Sequence, residues 1–154
     1  MSKNYELIIA DTSCLILLDK IDELQLLNLL FSAIYITPEI AAEFKKELPS
    51  FIQVKKTLNR QLIEQLNKKV DLGEASALAL AKESKNSLLI IDDLKGRRLA
   101  EEMQLNFIGT LSIILLAKEK GIIKKVKPLF KKIQKTNFRI SDSLYAQLLN
   151  LSEE

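Results

Sequence analysis

"LLIIDDLKGRR", residues 88–98, runs four apolar residues into two adjacent carboxylates and then into a cationic stretch. Residues 88–91 are apolar at every position rather than at alternate ones. That pattern reads as a strand buried on both faces, the mark of a parallel sheet covered by helices. A helix over residues 96–103 follows, so the stretch is a strand-to-helix unit with Asp92 and Asp93 at the strand's carboxyl end. Turn formation and helix capping account for an Asp at such a place, with Lys95, Arg97 and Arg98 as neutralising charges. A cation facing the strand end accounts for it equally well, but only if further acids arrive there from elsewhere in the chain.

The same alternation recurs on either side. YELIIA (residues 5–10) reads as a strand ending at Asp11, and helical spacing follows over residues 13–18 and 23–30. AIYIT (residues 33–37) reads as a second strand. Thr37-Pro38 then starts a helix, since Thr caps and Pro is pre-set for the first helical position, with Ile40, Ala41, Phe44 and Leu48 on one face. FIQVKKT (residues 51–57) fits an edge strand or a loop. Helices are expected over residues 59–68 and 72–85, a strand at LNFIG (residues 105–109) and a long helix from Thr110. SDSLYAQLLNLSEE (residues 141–154) reads as a capped helix with Leu144, Leu148 and Leu151 on one face. The expected class is α/β, a parallel sheet with helices on both faces. With no repeat or linker, residues 1–154 are expected to form one domain, its C-terminal helical segment at about 141–151.

At 154 residues and 47% hydrophobic, the chain can bury a core without metal or disulfide staples. Cys14 is the only cysteine and lies in the apolar run CLILL, so it reads as a small core residue in a reducing, cytoplasmic setting. The apolar part of the N-terminal MSKNYELIIAD is too short for a secretory signal, and no stretch has the length of a membrane span. The net charge of +3 permits an anionic partner without demanding one. Residues 118–135 carry eight lysines and one glutamate, either the solvated face of a helix burying Val126, Leu129, Phe130 and Ile133, or a track for phosphates. The chain has no histidine, which removes Ser-His-Asp and Cys-His catalysis and leaves carboxylates as the chemical groups.

In an open parallel sheet, ligands bind beyond the carboxyl ends of the strands. Asp11, Asp92 and Asp93 all fall on that edge. Glu74, in the first turn of the helix DLGEASALALA, and Glu43, one turn into TPEIAAEF, can reach it. Four or five converging carboxylates repel one another unless divalent cations lie between them, and oxygen-only ligation points to Mg²⁺ or Mn²⁺. Each acid also has a plain structural role: Asp11 as a helix cap, Glu74 in a capping box with Asp71, Glu43 as an exposed helix residue beside Glu39 and Glu47.

The stretches IIADTSCLILL, ITPEIAAEF, LGEASALALAKE, LLIIDDLKGRRLAEEM and FIGTLSIILLAKEKGII, in this order over about the first four-fifths of the chain, resemble the PIN-domain family of metal-dependent ribonucleases. Within it they are similar to the DUF3368-type branch of small prokaryotic toxin-like proteins. The resemblance implies a three-layer α/β/α fold with a central parallel sheet of four to five strands. It implies catalytic roles for Asp11, Glu43, Glu74, Asp92 and Asp93, with Asp11, Glu74, Asp92 and Asp93 as ligands of Mg²⁺ or Mn²⁺. Either Asp92 or Asp93 matches the family's last acid. Ser13, Arg97 and Arg98 match positions that meet substrate, while Thr110 is read here only as a helix start. The activity implied is endonucleolytic cleavage of single-stranded RNA leaving a 5′-phosphate. The partners implied are that RNA, an antitoxin inserted into the acidic cleft, and a second copy in a homodimer.

Three other readings compete. A phosphoacceptor receiver domain shares strand-end aspartates and a later Thr, but needs an acidic pair after the first strand, where this chain has Asp11 alone. A haloacid-dehalogenase phosphatase needs a second Asp two residues after Asp11, where Ser13 stands. A non-catalytic module of the same fold would bind nucleic acid or protein without cutting.

Overall fold

The structure, a computed structural model, describes residues 4–154, so the first three residues of the N-terminal stretch read above lie outside it. Five short strands, β1 (Leu7–Ala10), β2 (Ile34–Ile36), β3 (Ile52–Val54), β4 (Ser87–Ile90) and β5 (Asn106–Ile108), form one sheet. Their order is β3-β2-β1-β4-β5 and every neighbouring pair is parallel. The helices among the described residues are α1 (Thr12–Lys20), α2 (Gln25–Leu30), α3 (Pro38–Phe44), α4 (Arg60–Leu66), α5 (Leu72–Glu83), α6 (Leu94–Glu102), α7 (Thr110–Glu119), α8 (Lys127–Gln134) and α9 (Asp142–Leu151). Together they make a three-layer α/β/α fold.

β1 and β4 are buried at every position, as strands covered on both faces must be, and their register sets Ala10 beside Ile90. The ladder continues to the threshold of the acids, with the Asp11 N–H donating to the Ile90 carbonyl at 3.0 Å. β4 begins one residue earlier than the apolar run suggests. Ser87 fits there because it is buried with its hydroxyl donating to the Ala81 carbonyl at 3.1 Å. Of residues 51–57, Ile52–Val54 form the edge strand β3, with the Lys55 N–H just beyond it on the Ile36 carbonyl at 2.8 Å, and the rest is loop.

The chain winds outward from β1 through β2 to β3, then crosses back through α4 and α5 to place β4 on the other side of β1. The winding reverses between β1 and β4, and where their outgoing connections part a crevice lies beyond the carboxyl ends of these two strands. This order differs from the 2-1-3-4-5 order of receiver domains. α5 dominates the crossing: residues 73–81 are all buried, and its Gly and Ala residues let it lie close against β1, β4, α3, α4 and α6. Glu74 is thereby carried into the interior at the crevice.

α8 buries Leu129, Phe130 and Ile133 with Val126 just ahead of it, matching the apolar spacing. α9 departs from expectation, because Leu148 is buried while Leu144 and Leu151 are 36% and 66% exposed. Its contact is made through Leu148 and Tyr145, whose ring meets Phe130 edge-on at 6.3 Å. Beyond α9 the Glu154 carboxylate accepts from the N–H groups of Val126 (2.7 Å) and Lys127 (3.1 Å) and pairs with Lys118 at 2.9 Å. Burial works against that carboxylate's charge, but these donors hold its pKa down to about 2. Among the described residues, no helix is long and apolar enough to cross a membrane.

Candidate active site

Because the sheet is parallel, α1, α6 and α7, which follow β1, β4 and β5, begin at the carboxyl edge, and so does α5, which leads into β4. Their positive ends reduce the cost of gathering carboxylates there. Three acids use those ends directly. Asp71 caps α5 by accepting from the Glu74 N–H at 2.8 Å, and Asp93 caps α6 by accepting from the Gly96 N–H at 3.1 Å. Asp92 accepts from both the N–H (2.8 Å) and the hydroxyl (2.6 Å) of Thr110 at the start of α7, where Gly109 has no side chain to cap with.

Asp11 behaves differently. It occupies the cap position of α1 with extended backbone, yet its side chain makes no capping bond. It is 3% exposed, and its Oδ1 is buried without a partner. Burial raises its pKa from 3.8 to about 7; the Thr12 amide lowers it, and Asp71, Glu43 and Asp92 raise it further. Glu74 is also buried, and burial followed by the charges of Asp11, Asp71 and Asp93 raises its pKa to about 8. Two carboxylates thus sit in the crevice with ionisation disfavoured, surrounded by others of the same sign.

Glu43 is brought in by two bonds, from the Thr12 hydroxyl to Oε1 at 2.5 Å and from the Gly73 N–H to Oε2 at 3.2 Å. Position 73 must be Gly for this to hold, since a Cβ there would lie 2.1 Å from Glu43 Oε1. A buried hydroxyl pair ties the two helices together. The Thr37 hydroxyl accepts from the Ile40 N–H at 3.1 Å and lies 2.6 Å from Ser76 Oγ, which donates to the Gly73 carbonyl at 2.7 Å. With the Ser76 proton committed, Thr37 is the donor in that pair.

All five acids singled out in the sequence therefore reach one edge. Ser13 is exposed in the first turn of α1. Arg98 is exposed, whereas Arg97 is half-buried with its Nε on the Ile91 carbonyl at 3.0 Å and its guanidinium over the Phe107 ring at 5.5 Å. Two residues escaped the sequence reading as site members. Asp71 was visible only as a cap, but its charge acts on both Asp11 and Glu74. Thr110 was visible only as a helix start, but it holds both oxygens of Asp92. Cys14 is fully buried, and burial together with Asp92 pushes its thiol well above the usual range, so it is inert.

The lysine-rich segment does not border this edge. α8 is anchored at the far ends of helices that start at the crevice: Lys132 lies 4.0 Å from Glu23 beyond α1, Asn137 accepts from Lys20, and Lys118 near the end of α7 meets Glu154. The lysines that do line the acidic cleft are Lys68, Lys69 and Lys95. A larger cavity of about 890 Å³ lies by the loop over residues 55–59. Its Glu83 carboxylate is spent on that loop, accepting from the N–H groups of Leu58 (2.6 Å) and Asn59 (3.1 Å) and from the Thr57 hydroxyl.

Among the described residues, no three His, Cys, Asp or Glu side chains are grouped so that they could hold a metal ion as they stand. The donor chemistry nevertheless fits a hard divalent ion. The set is all oxygen, and the unpartnered Asp11 Oδ1 requires a proton or a cation.

A family model described as a PIN domain, DUF3368, matches residues 7–154, and the chain belongs to that family. The match runs on through α8 and α9, past the stretches that carried the sequence resemblance. No curated protein matches the chain. PIN domains are generally nucleases and typically use divalent metals.

Proposed function

We propose that the chain is an Mg²⁺- or Mn²⁺-dependent endoribonuclease acting on single-stranded RNA. The observation that carries this reading is Asp11, a buried carboxylate with an unpartnered oxygen at the point where the sheet's winding reverses, facing acids from three other elements. Asp11, Glu74, Asp92 and Asp93 would hold the ion, with Glu43 completing the ring. When bound, the ion supplies a water of lowered pKa and stabilises charge on the scissile phosphate. The protein's own part is orientation. Thr110 fixes Asp92, Gly73 and Thr12 fix Glu43, and the α6 amide of Gly96 fixes Asp93. Arg98 and Ser13, both exposed, are the groups free to meet substrate.

We further propose, as the sequence resemblance implies, that the chain is the toxin of a toxin–antitoxin pair, forming a homodimer and blocked by an antitoxin seated in the cleft. One observation favours a non-catalytic module instead, namely that Asp92 and Asp93 already serve as helix caps. Incubation of matched single-stranded RNA, duplex RNA and single-stranded DNA with Mn²⁺, followed by mapping of the ends, separates these. Cuts confined to single-stranded RNA and leaving 5′-phosphates support the nuclease. Binding without cuts on any of the three supports the module.

A further inference from the structure

We propose that Lys68, Lys69 and Lys95 form a seat for the substrate phosphate next to the scissile one; this rests on the nuclease reading above. Lys68 and Lys69 lie in the turn that closes α4, held by the Lys69 N–H on the Leu66 carbonyl at 2.9 Å, and Lys95 lies in the first turn of α6. From these two elements the three converge on one cleft of about 310 Å³ that also contains Asp71, Glu74 and Asp93.

Three carboxylates line the same cleft, yet among the described residues none of these lysines has an acidic partner within 4.0 Å. Lys95 is placed against the local field, at the positive end of α6 where anions are favoured and cations opposed, while Lys68 and Lys69 lie between the carboxyl end of α4 and the amino end of α5. A local choice that works against its surroundings points to a function, and an anion between the lysines and the helix ends removes the conflict. Lysine ammonium groups are point charges without base preference, so this seat sets affinity and register rather than sequence selection.

The test compares two triple variants, Lys68→Ala/Lys69→Ala/Lys95→Ala in the cleft and Lys124→Ala/Lys125→Ala/Lys131→Ala on the remote segment. Binding of a labelled single-stranded RNA is measured in EDTA over a range of salt, and KM and kcat are measured with Mn²⁺. Loss of the one seated phosphate flattens the slope of log affinity against log salt by about 0.7. The cleft variant is expected to show that loss, with KM raised about tenfold and kcat within about twofold of wild type. The remote variant is expected to match wild type in both. Lys69→Gln alone, expected to flatten the slope in the same direction but by less than the triple variant, guards against a triple variant that fails to fold. A cleft variant with unchanged slope and KM overturns the seat, as does a loss confined to the remote variant. Wild type that binds with the expected cleft dependence but never cuts overturns the nuclease reading and leaves the seat standing. Wild type that binds no single strand overturns both.

Discussion

Asp11→Asn should make the metal-free protein more stable at pH 8 while destroying its activity. The Asp11 carboxylate ionises near 3.8 in the unfolded chain and near 7 in the folded one. Between those values the folded state keeps a proton that the unfolded state has released, so stability falls as pH rises through the window and the full cost is present by pH 8. At 1.36 kcal/mol for each pH unit between the two values, that cost is about 4 kcal/mol, an upper bound because the crevice relaxes around the charge. Asn keeps the shape without the charge that burial and the neighbouring Asp71, Glu43 and Asp92 oppose. With about 2–4 °C per kcal/mol for a chain of this size, the variant should melt about 5–15 °C above wild type at pH 8 in EDTA. The gap should close towards pH 4, where both forms are uncharged. Thermal melts by circular dichroism at the two pH values measure it, and Mn²⁺ should raise the Tm of wild type alone. A variant that melts at or below wild type at pH 8, or a gap that persists at pH 4, would refute the reasoning.

Other predictions follow from the same contacts. Gly73→Ala should push the Glu43 carboxylate off its seat and lower kcat by about tenfold or more while the fold, followed by circular dichroism, is kept. Thr110→Val removes one of the two donors to Asp92 and should cost about 1–3 kcal/mol in urea unfolding, along with a drop in cleavage. Divalent-metal affinity by calorimetry should strengthen from pH 6 to pH 8, because Asp11 and Glu74 release protons near 7 and 8 when the cation binds. A pH-independent affinity would show that neither carboxylate is displaced from its proton.

The two central strands were legible because they carry short runs that are apolar throughout, so β1 and β4 could be placed from LIIA and LLI alone. The acids at their ends followed from position, since the carboxyl edge of a parallel sheet is shared by every strand. What periodicity could not supply was the division of labour among those acids. Asp11 and Asp93 both precede helices in the sequence, yet only Asp93 caps, because its side chain turns onto the α6 amides while that of Asp11 stays in the crevice. Asp71 and Thr110 were hidden for a related reason, as each performs a helix-end role that sufficed to explain it. The lysine run left two roles open that its density could not separate. Its distance from the site depends on how far α1 and α7 carry the chain before α8 packs on them, and the three lysines at the cleft are scattered over 28 positions of sequence, from Lys68 to Lys95. The exposure of Leu144 and Leu151 likewise depends on how α9 meets Phe130, which spacing on one helix does not reveal.

Whether the acidic edge is a catalytic cation site is tested most directly by cleavage of a mixed set of labelled single-stranded RNAs by wild type and by Asp11→Asn, each with Mn²⁺ or Mg²⁺ and with EDTA. Wild type should cut only when metal is present, and the folded variant should not cut under any condition. Cutting that survives EDTA, or a variant as active as wild type, would contradict a catalytic cation site there.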